Sequence, residues 1–307
     1  MSPNPDTSRT ESAARPCGSV THVLAAVDGF STGRDAAVLG RLISEAASAD
    51  LLLATVYAHP LLPMAPELGA RALKRESERI LRQARDRDAP GARVTIAGDV
   101  SVARALHRVA RAEHRDLIVV GSSRDAEPGH VQMGAHTRQL LGYFDCGLAV
   151  AARDLHTRAA GGITSIGVGY DGGPEAEAAL RLAATLAAGA GARLRVRAVV
   201  DDSVPFLLRS AWTGLIATEW HDVIAEEGRD LQARAAAACA QLALSAAAEV
   251  VTGSPAEAMV ALTHEVDLLV IGSRRWGPAA RVVLGGTGEA LMRDAACSVL
   301  AVPRVDS

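Results

Sequence analysis

The sequence predicts two α/β domains in tandem, each a parallel sheet covered by helices on both faces, and three observations carry that reading. Apolar runs of strand length alternate with helical segments along the chain; parallel strands need crossover helices, which bury the sheet on both sides. The run D-L-I-V-V-G at 116–121 recurs as D-L-L-V-I-G at 267–272, and Gly121, Gly134 and Cys146 map onto Gly272, Gly285 and Cys297 with one constant offset of 151 residues. The opening of each unit also repeats, V-L-A-A-V-D-G-F-S around Asp28 matching I-G-V-G-Y-D-G-G-P around Asp171. A constant offset across separated landmarks is the signature of a duplicated unit.

Taken in order, Val23 to Val27 is a short apolar strand followed by the turn signal D-G-F-S-T-G, with Ser31 or Thr32 placed to cap the next helix. Ala36, Leu39, Leu42 and Ile43 recur at helical spacing, Leu51 to Val56 is a second buried strand, and Pro60, Pro63 and Pro66 mark a loop. Arg71 to Arg87 is a charged surface helix with a narrow apolar side at Leu73, Ile80 and Leu81. A strand at Arg93 to Ala97, a helix over 102–114 and a strand at Leu117 to Val120 follow. The second half repeats the order with a strand at Ser165 to Gly169, a helix from Pro174 to about Ala188 with Pro in its first turn, and a strand at Arg193 to Val200. Phe206 to Ala248 is mostly helical by composition and carries Trp212 and Trp220, which are expected in inter-domain or dimer packing. Last strands are expected near Leu148 to Ala151 and Val299 to Val302. The domains expected are 21–153 and 163–304, joined by a linker at 154–162 and preceded by a Pro/Ser-rich disordered tail at 1–20.

Composition narrows the function classes. The 307 residues carry a net charge of −3, and Lys74 is the only lysine, so no broad nucleic-acid surface is expected. No apolar run approaches the roughly 18 residues of a membrane span, and the amino-terminal segment lacks the pattern of a signal peptide, so a soluble, cytoplasmic protein is expected. Cys17, Cys146, Cys239 and Cys297 form no C-x-x-C pair, and the nine histidines show no ligand spacing. Cys146 and Cys297 are expected to be buried packing residues.

The strand ending at Gly272 leads through a basic loop to Gly285-Gly286-Thr287, where a helical pattern begins. Unpaired amides at a helix start, a positive dipole end and glycine's lack of a side chain together make a phosphate cradle. Both usual nucleotide fingerprints, G-x-x-x-x-G-K-[ST] and G-x-G-x-x-G, are absent, as is any catalytic triad arrangement. Asp28 and Asp171, each before a Gly, suit either a turn held by their own side chain or a ligand contact.

A first strand ending in Asp, a second ending in Val, and a Gly loop of fixed length before a short helix and final strand resemble the universal stress protein family in tandem form, over nearly all of residues 20–304. The resemblance implies doubly wound parallel five-stranded sheet domains that dimerise and that in some members bind ATP at the sheet's carboxyl edge. There the first-strand aspartate and second-strand valine hold the adenosine part, and the glycine loop holds the phosphates. Carried over, this implies Asp171, Val199, Gly272, Gly285, Gly286 and Thr287 in the second half, and Asp28, Val56, Gly121 and Gly134 in the first. Two departures mark the second half: Arg275 stands at the family's second glycine, where it either crowds the pocket or pairs with a phosphate. Gly286 stands at the Ser/Thr position, with the hydroxyl displaced to Thr287. In the first half Arg124 and Ala135 replace both residues.

Charge separates the halves. Between the landmark glycines the second half carries Arg274, Arg275 and Arg281 without an acid, whereas the first sets Arg124 against Asp125 and Glu127. A polyphosphate is attracted to one loop and weakly repelled by the other. The expectation is an ATP-binding stress protein, with any Mg²⁺ arriving on the nucleotide, a live second site and a degenerate first one. The alternatives are a scaffold without nucleotide and a slow ATPase. The expected partners are adenine nucleotide, the two halves acting as an intramolecular pseudo-dimer, a homodimer, and a protein that reads the nucleotide state.

Overall fold

The computed structural model describes residues 19–58, 66–141, 146–203, 214–273, 282 and 284–303. Residues 1–18 of the tail expected at 1–20, the Pro60 and Pro63 loop, Trp212, Cys17, and the loop holding Arg274, Arg275 and Arg281 lie outside them; Val20, at the end of the expected tail, is described and buried in the core.

The first half comprises β1 (His22–Ala26), α1 (Ser31–Ala47), β2 (Asp50–Ala58), α2 (Pro66–Asp88), β3 (Arg93–Asp99), α3 (Val102–Ala112), β4 (Leu117–Gly121), α4 (Ala135–Leu141) and β5 (Gly147–Ala151). After a short helix α5 (Leu155–Arg158) and a 3₁₀ turn (Ala159–Gly161), the second half comprises β6 (Ser165–Tyr170), α6 (Pro174–Ala190), β7 (Arg193–Val200) and α7 (Gly214–Ala240). It continues through β8 (Ala247–Thr252), α8 (Pro255–Thr263), β9 (Leu268–Gly272), α9 (Gly286–Asp294) and β10 (Ser298–Val302). The strands form one sheet in the order β3-β2-β1-β4-β5-β10-β9-β6-β7-β8. Every pairing is parallel except the central one, where β10 runs antiparallel to β5 with Val299 opposite Val150 and Ala301 opposite Leu148. All five residues of β5 and all five of β10 are buried, which is why those strands are uniformly apolar or small.

One apolar core joins α1, α2, α6 and α7 to one face of the sheet, and a second joins α3, α4, α8 and α9 to the other. On the first face α1 and α6 meet across the central seam so closely that a Cβ at Gly189 would overlap the Ala46 carbonyl oxygen. Helix starts follow local chemistry. Ser101 and Ser254 cap α3 and α8 by accepting from the amides of Arg104 and Glu257, and Pro174 opens α6. α6 stops at Gly191, whose φ of 64° suits a residue without a Cβ.

The acid that opens each repeated run has a structural role. Asp116 accepts from the Thr21 amide and hydroxyl and from the His22 amide, at 2.9, 2.8 and 3.0 Å. Asp267 accepts from the amides and hydroxyls of Thr164 and Ser165 at 2.8–3.0 Å. Each carboxylate thereby fixes the start of its half's first strand. Burial pushes the Asp267 carboxyl up, but the Thr164 and Ser165 hydrogen bonds outweigh it and hold the group below its ordinary value.

Two local expectations are corrected. Ser31 and Thr32 do not cap α1: Phe30 is the N-cap residue, and the preceding turn is closed by the Asp28 carboxylate instead. The stretch 206–248 is not one helical segment, because β8 starts at Ala247; its A-A-E-V-V-T offers only two β-branched apolar residues after an alanine run, so helix propensity hides it. The linker carries α5 and the 3₁₀ turn. Asp35 of α1, fully buried, accepts from the amides of Asp154 and His156 at 2.9 and 2.8 Å and contacts His156 Nδ1 at 2.6 Å, which clasps α5 to the first half.

Candidate functional site

In an open parallel sheet, ligands sit beyond the carboxyl ends of the strands where the strand order reverses. That point lies between β1 and β4 in the first half and between β6 and β9 in the second. Asp28, Val56 and Gly121 lie at carboxyl ends of the first half's strands, and Asp171, Val199 and Gly272 at those of the second.

Both aspartates adopt the turn role. Asp28 Oδ1 accepts from the Phe30 amide at 3.0 Å, and Asp171 Oδ1 accepts from the Gly173 amide at 2.8 Å. Both residues are exposed, and the turn bond engages one carboxylate oxygen of each. Turn and ligand roles are therefore compatible. Gly121 and Gly272 also have a packing reason to be glycine. A Cβ at 272 would lie 2.8 Å from the Glu175 carbonyl carbon and oxygen, and one at 121 would lie 2.6 Å from the Thr32 carbonyl carbon. Each glycine lets the end of its strand abut the first turn of the neighbouring helix. Val199, half-buried in β7, pairs with Val251 of β8, and Val56 pairs with Ala97 of β3.

The glycines that open the final helices stand in free space. A Cβ at Gly134 or Gly286 would meet no atom within 4 Å. Gly285 is the N-cap residue of α9 and makes no side-chain cap, Gly286 is exposed, and Thr287 is half-buried in the first turn. Gly285 as N-cap therefore offers no side chain of its own to the first amides of α9, which suits an anion cradle. Arg275 lies outside the described residues.

The turns differ between the halves in ways the sequence reading missed. In the first half, Ile80 of α2 sits over Gly29, its Cδ1 2.8 Å from where a Cβ would stand, and Arg124 lies over the Phe30 ring at 4.5 Å. The first loop is also tied down: Ser122 Oγ accepts from the Gln132 amide at 2.7 Å, and the Val131 and Met133 amides donate across the seam to Ala295 and Met292 at 2.7 and 2.8 Å. In the second half Gly173 stands where the first has Phe30, and Arg234 of α7 stands over Gly172, Nη1 2.6 Å from a Cβ position. Burial raises the Tyr170 hydroxyl's pKa, Glu177 and Asp171 add to that, and Arg234 opposes it. The signal was present in the repeat. Aligning buried Ser77 with Leu231 and Leu81 with Ala235 puts Ile80 opposite Arg234.

The three cysteines among the described residues are buried and form no disulfide, as the sequence predicts for the burial of Cys146 and Cys297, and burial pushes the Cys297 thiol far up. Among the described residues one group, Asp35, Asp154 and His156, has metal-ligand spacing, and it is the linker clasp. No described helix is long and apolar enough to cross a membrane.

The family model of the universal stress protein family matches residues 19–151 and again 162–303. Among solved structures, a putative universal stress protein from Pseudomonas aeruginosa UCBPP-PA14 is 16% identical, with 94% of this chain and 95% of that chain covered at a TM-score of 0.61. A universal stress protein from Archaeoglobus fulgidus DSM 4304 is 18% identical, with 92% and 98% covered at a TM-score of 0.63. Likeness at such identity establishes the shared fold over nearly the whole length of each chain. No curated protein sequence matches the chain.

Proposed function

Because the chain belongs to the universal stress protein family, with two copies of the family domain in tandem, we propose that it is a stress-response protein that binds ATP in its second half. The nucleotide occupies the carboxyl edge of the sheet between β6 and β9, and its presence is read by a protein partner. Asp171 and the Val199 backbone hold the adenosine part, while Gly272, Gly285, Gly286, Thr287 and Arg275 hold the phosphates. Mg²⁺ arrives with the nucleotide.

The observation that carries this reading is the asymmetry at the first turn. In the first half Ile80 covers the turn, the Arg124–Phe30 stack lies beside it, and the following loop spends its amides on protein acceptors. In the second half Gly173 replaces Phe30, Arg234 stands over Gly172 in the place of Ile80 and brings a cation to the turn, and Gly285 offers no side chain to the first amides of α9 beside an exposed Gly286. The residues present fit a phosphate group there. The same differences support a degenerate first site at Asp28, Val56, Gly121 and Gly134. The antiparallel pairing of β5 with β10 supports reading the two halves as an intramolecular dimer.

Equilibrium binding of ATP to the full-length protein, with and without Mg²⁺, tests the proposal through affinity and stoichiometry together. One site per chain is expected. Asp171→Ala is expected to weaken binding at least tenfold, about 1.4 kcal/mol, and Asp28→Ala to leave it unchanged. Two sites per chain, or equal losses, would refute the asymmetry. No binding at millimolar ATP would leave a scaffold without nucleotide.

A further inference from the structure

The duplicated helices α2 and α7 occupy equivalent places at opposite ends of the sheet, on the same face, yet carry opposite charge. α2 has seven Arg and Lys residues against five acids, and α7 has two arginines against five acids. On α2 the exposed Lys74, Arg75 and Arg82 make no ion pair among the described residues, and on α7 the exposed Asp222, Glu226, Glu227 and Asp230 make none among them either. Asp222, Glu226 and Asp230 follow one another at four-residue spacing, as do Arg71, Arg75 and Arg79. Like charges at that spacing destabilise a helix by about 0.2–0.5 kcal/mol per pair, so the acidic stripe does not serve α7; on α2 Glu76 satisfies Arg79, and Lys74, Arg75 and Arg82 are the cations left for a contact outside the helix. Each stripe also borders an exposed apolar side chain, Leu73 on α2 at 38% and Val223 on α7 at 52%.

We propose that α2 and α7 form the two complementary parts of one self-association surface, in which α2 of one copy docks on α7 of a second copy. A two-fold arrangement makes both contacts at once, since each copy offers one basic and one acidic helix. The helices are about 35 and 40 Å long at 1.5 Å per residue, long enough for several charge pairs on each side. A second copy is the occupant argued for because the complement of each stripe is already present on the same chain, at the place equivalent by duplication. The contact lies on helix surfaces away from the β6–β9 crevice and does not depend on nucleotide.

Sedimentation of the full-length protein at low and high ionic strength tests this. A dimer is expected at low salt that dissociates as salt rises, because exposed charges are screened beyond about 10 Å at 0.1 M. Arg75→Glu with Arg82→Glu makes both helices acidic, and Glu226→Arg with Asp230→Arg makes both basic. Each double variant alone is expected to sediment as a monomer, with at least a tenfold weaker self-association. An equimolar mixture of the two is expected to form the dimer again. These positions are exposed, and unchanged melting temperatures verify that the variants fold. A wild-type monomer at low salt, a dimer whose stability ignores salt, or a mixture of the two variants that stays monomeric would each overturn the proposal. An acidic or basic protein as the true occupant would show itself as a wild-type monomer under every condition.

Discussion

Gly189→Ala tests the contact that joins the two halves on one face of the sheet. Helix propensity favours the change, since alanine is better than glycine by about 0.8–1.0 kcal/mol in a helix interior and by less near an end. Gly189 is the penultimate residue of α6. The contact opposes the change. An added Cβ would lie 2.7 Å from the Ala46 carbonyl carbon and 3.1 Å from its Cα, with the carbonyl oxygen nearer still. Carbon atoms rest at about 3.5–4.0 Å, so the end of α1 has to withdraw by roughly 0.8 Å or more. Overpacking of that kind costs about 1–3 kcal/mol, and the exposed position of Gly189 places the cost in the lower half of that range. Setting a propensity gain of about 0.5 kcal/mol near the helix end against that cost, the contact wins with a net destabilisation of about 0.5–1.5 kcal/mol. Urea unfolding is expected to show a lower midpoint at constant slope, and thermal unfolding a fall of about 2–4 °C per kcal/mol. A variant as stable as the wild type, or more stable, would refute the close crossing of α1 and α6.

Two further predictions separate binding from stability and define a pH dependence. Gly286→Val adds a side chain to open, exposed space, so its melting temperature is expected to stay near wild type while ATP affinity falls at least tenfold; unchanged affinity in isothermal titration would remove α9 from the phosphate site. Asp267→Ala removes the acceptor shared by Thr164 and Ser165 and is expected to cost about 1–3 kcal/mol at neutral pH. Because the folded pKa of Asp267 is depressed, its contribution is present above the ordinary carboxyl pKa and lost as pH falls through the folded value. The stability gap between wild type and variant is therefore expected to close on acidification, and a gap independent of pH in urea titrations would contradict the depression.

The alternation of strands and helices and the duplication were legible because both rest on long-range patterns: Leu117–Val120 and Leu268–Ile271 can only be strands buried on both sides. β8 was not legible, since A-A-E-V-V-T has no strong period and its strand state is imposed by pairing with β7. At the candidate site the aspartates and glycines were named from sequence, but two reasons for them were not. Gly272 is glycine because the Glu175 backbone lies against it, and Asp171 spends one oxygen on the Gly173 amide. Ile80 and Arg234 escaped notice because they reach the turn from a helix distant in sequence, and only the packed face of α2 and α7 brings them there.

Residues on the approach to the final helix of each half reach across the seam. Val131 donates to Ala295 beyond the seam, and Val282 lies among Ile118, Leu140, Cys146 and Leu148 of the first half. A loop that tightens on a ligand therefore pulls on a seat built by its neighbour. By reciprocity, whatever changes that seat changes the affinity by the same free energy, and couplings of this sort amount to about 1–3 kcal/mol. Should the second half bind nucleotide as proposed, first-half residues such as Ile118 and Leu140 would be places where its binding constant is set.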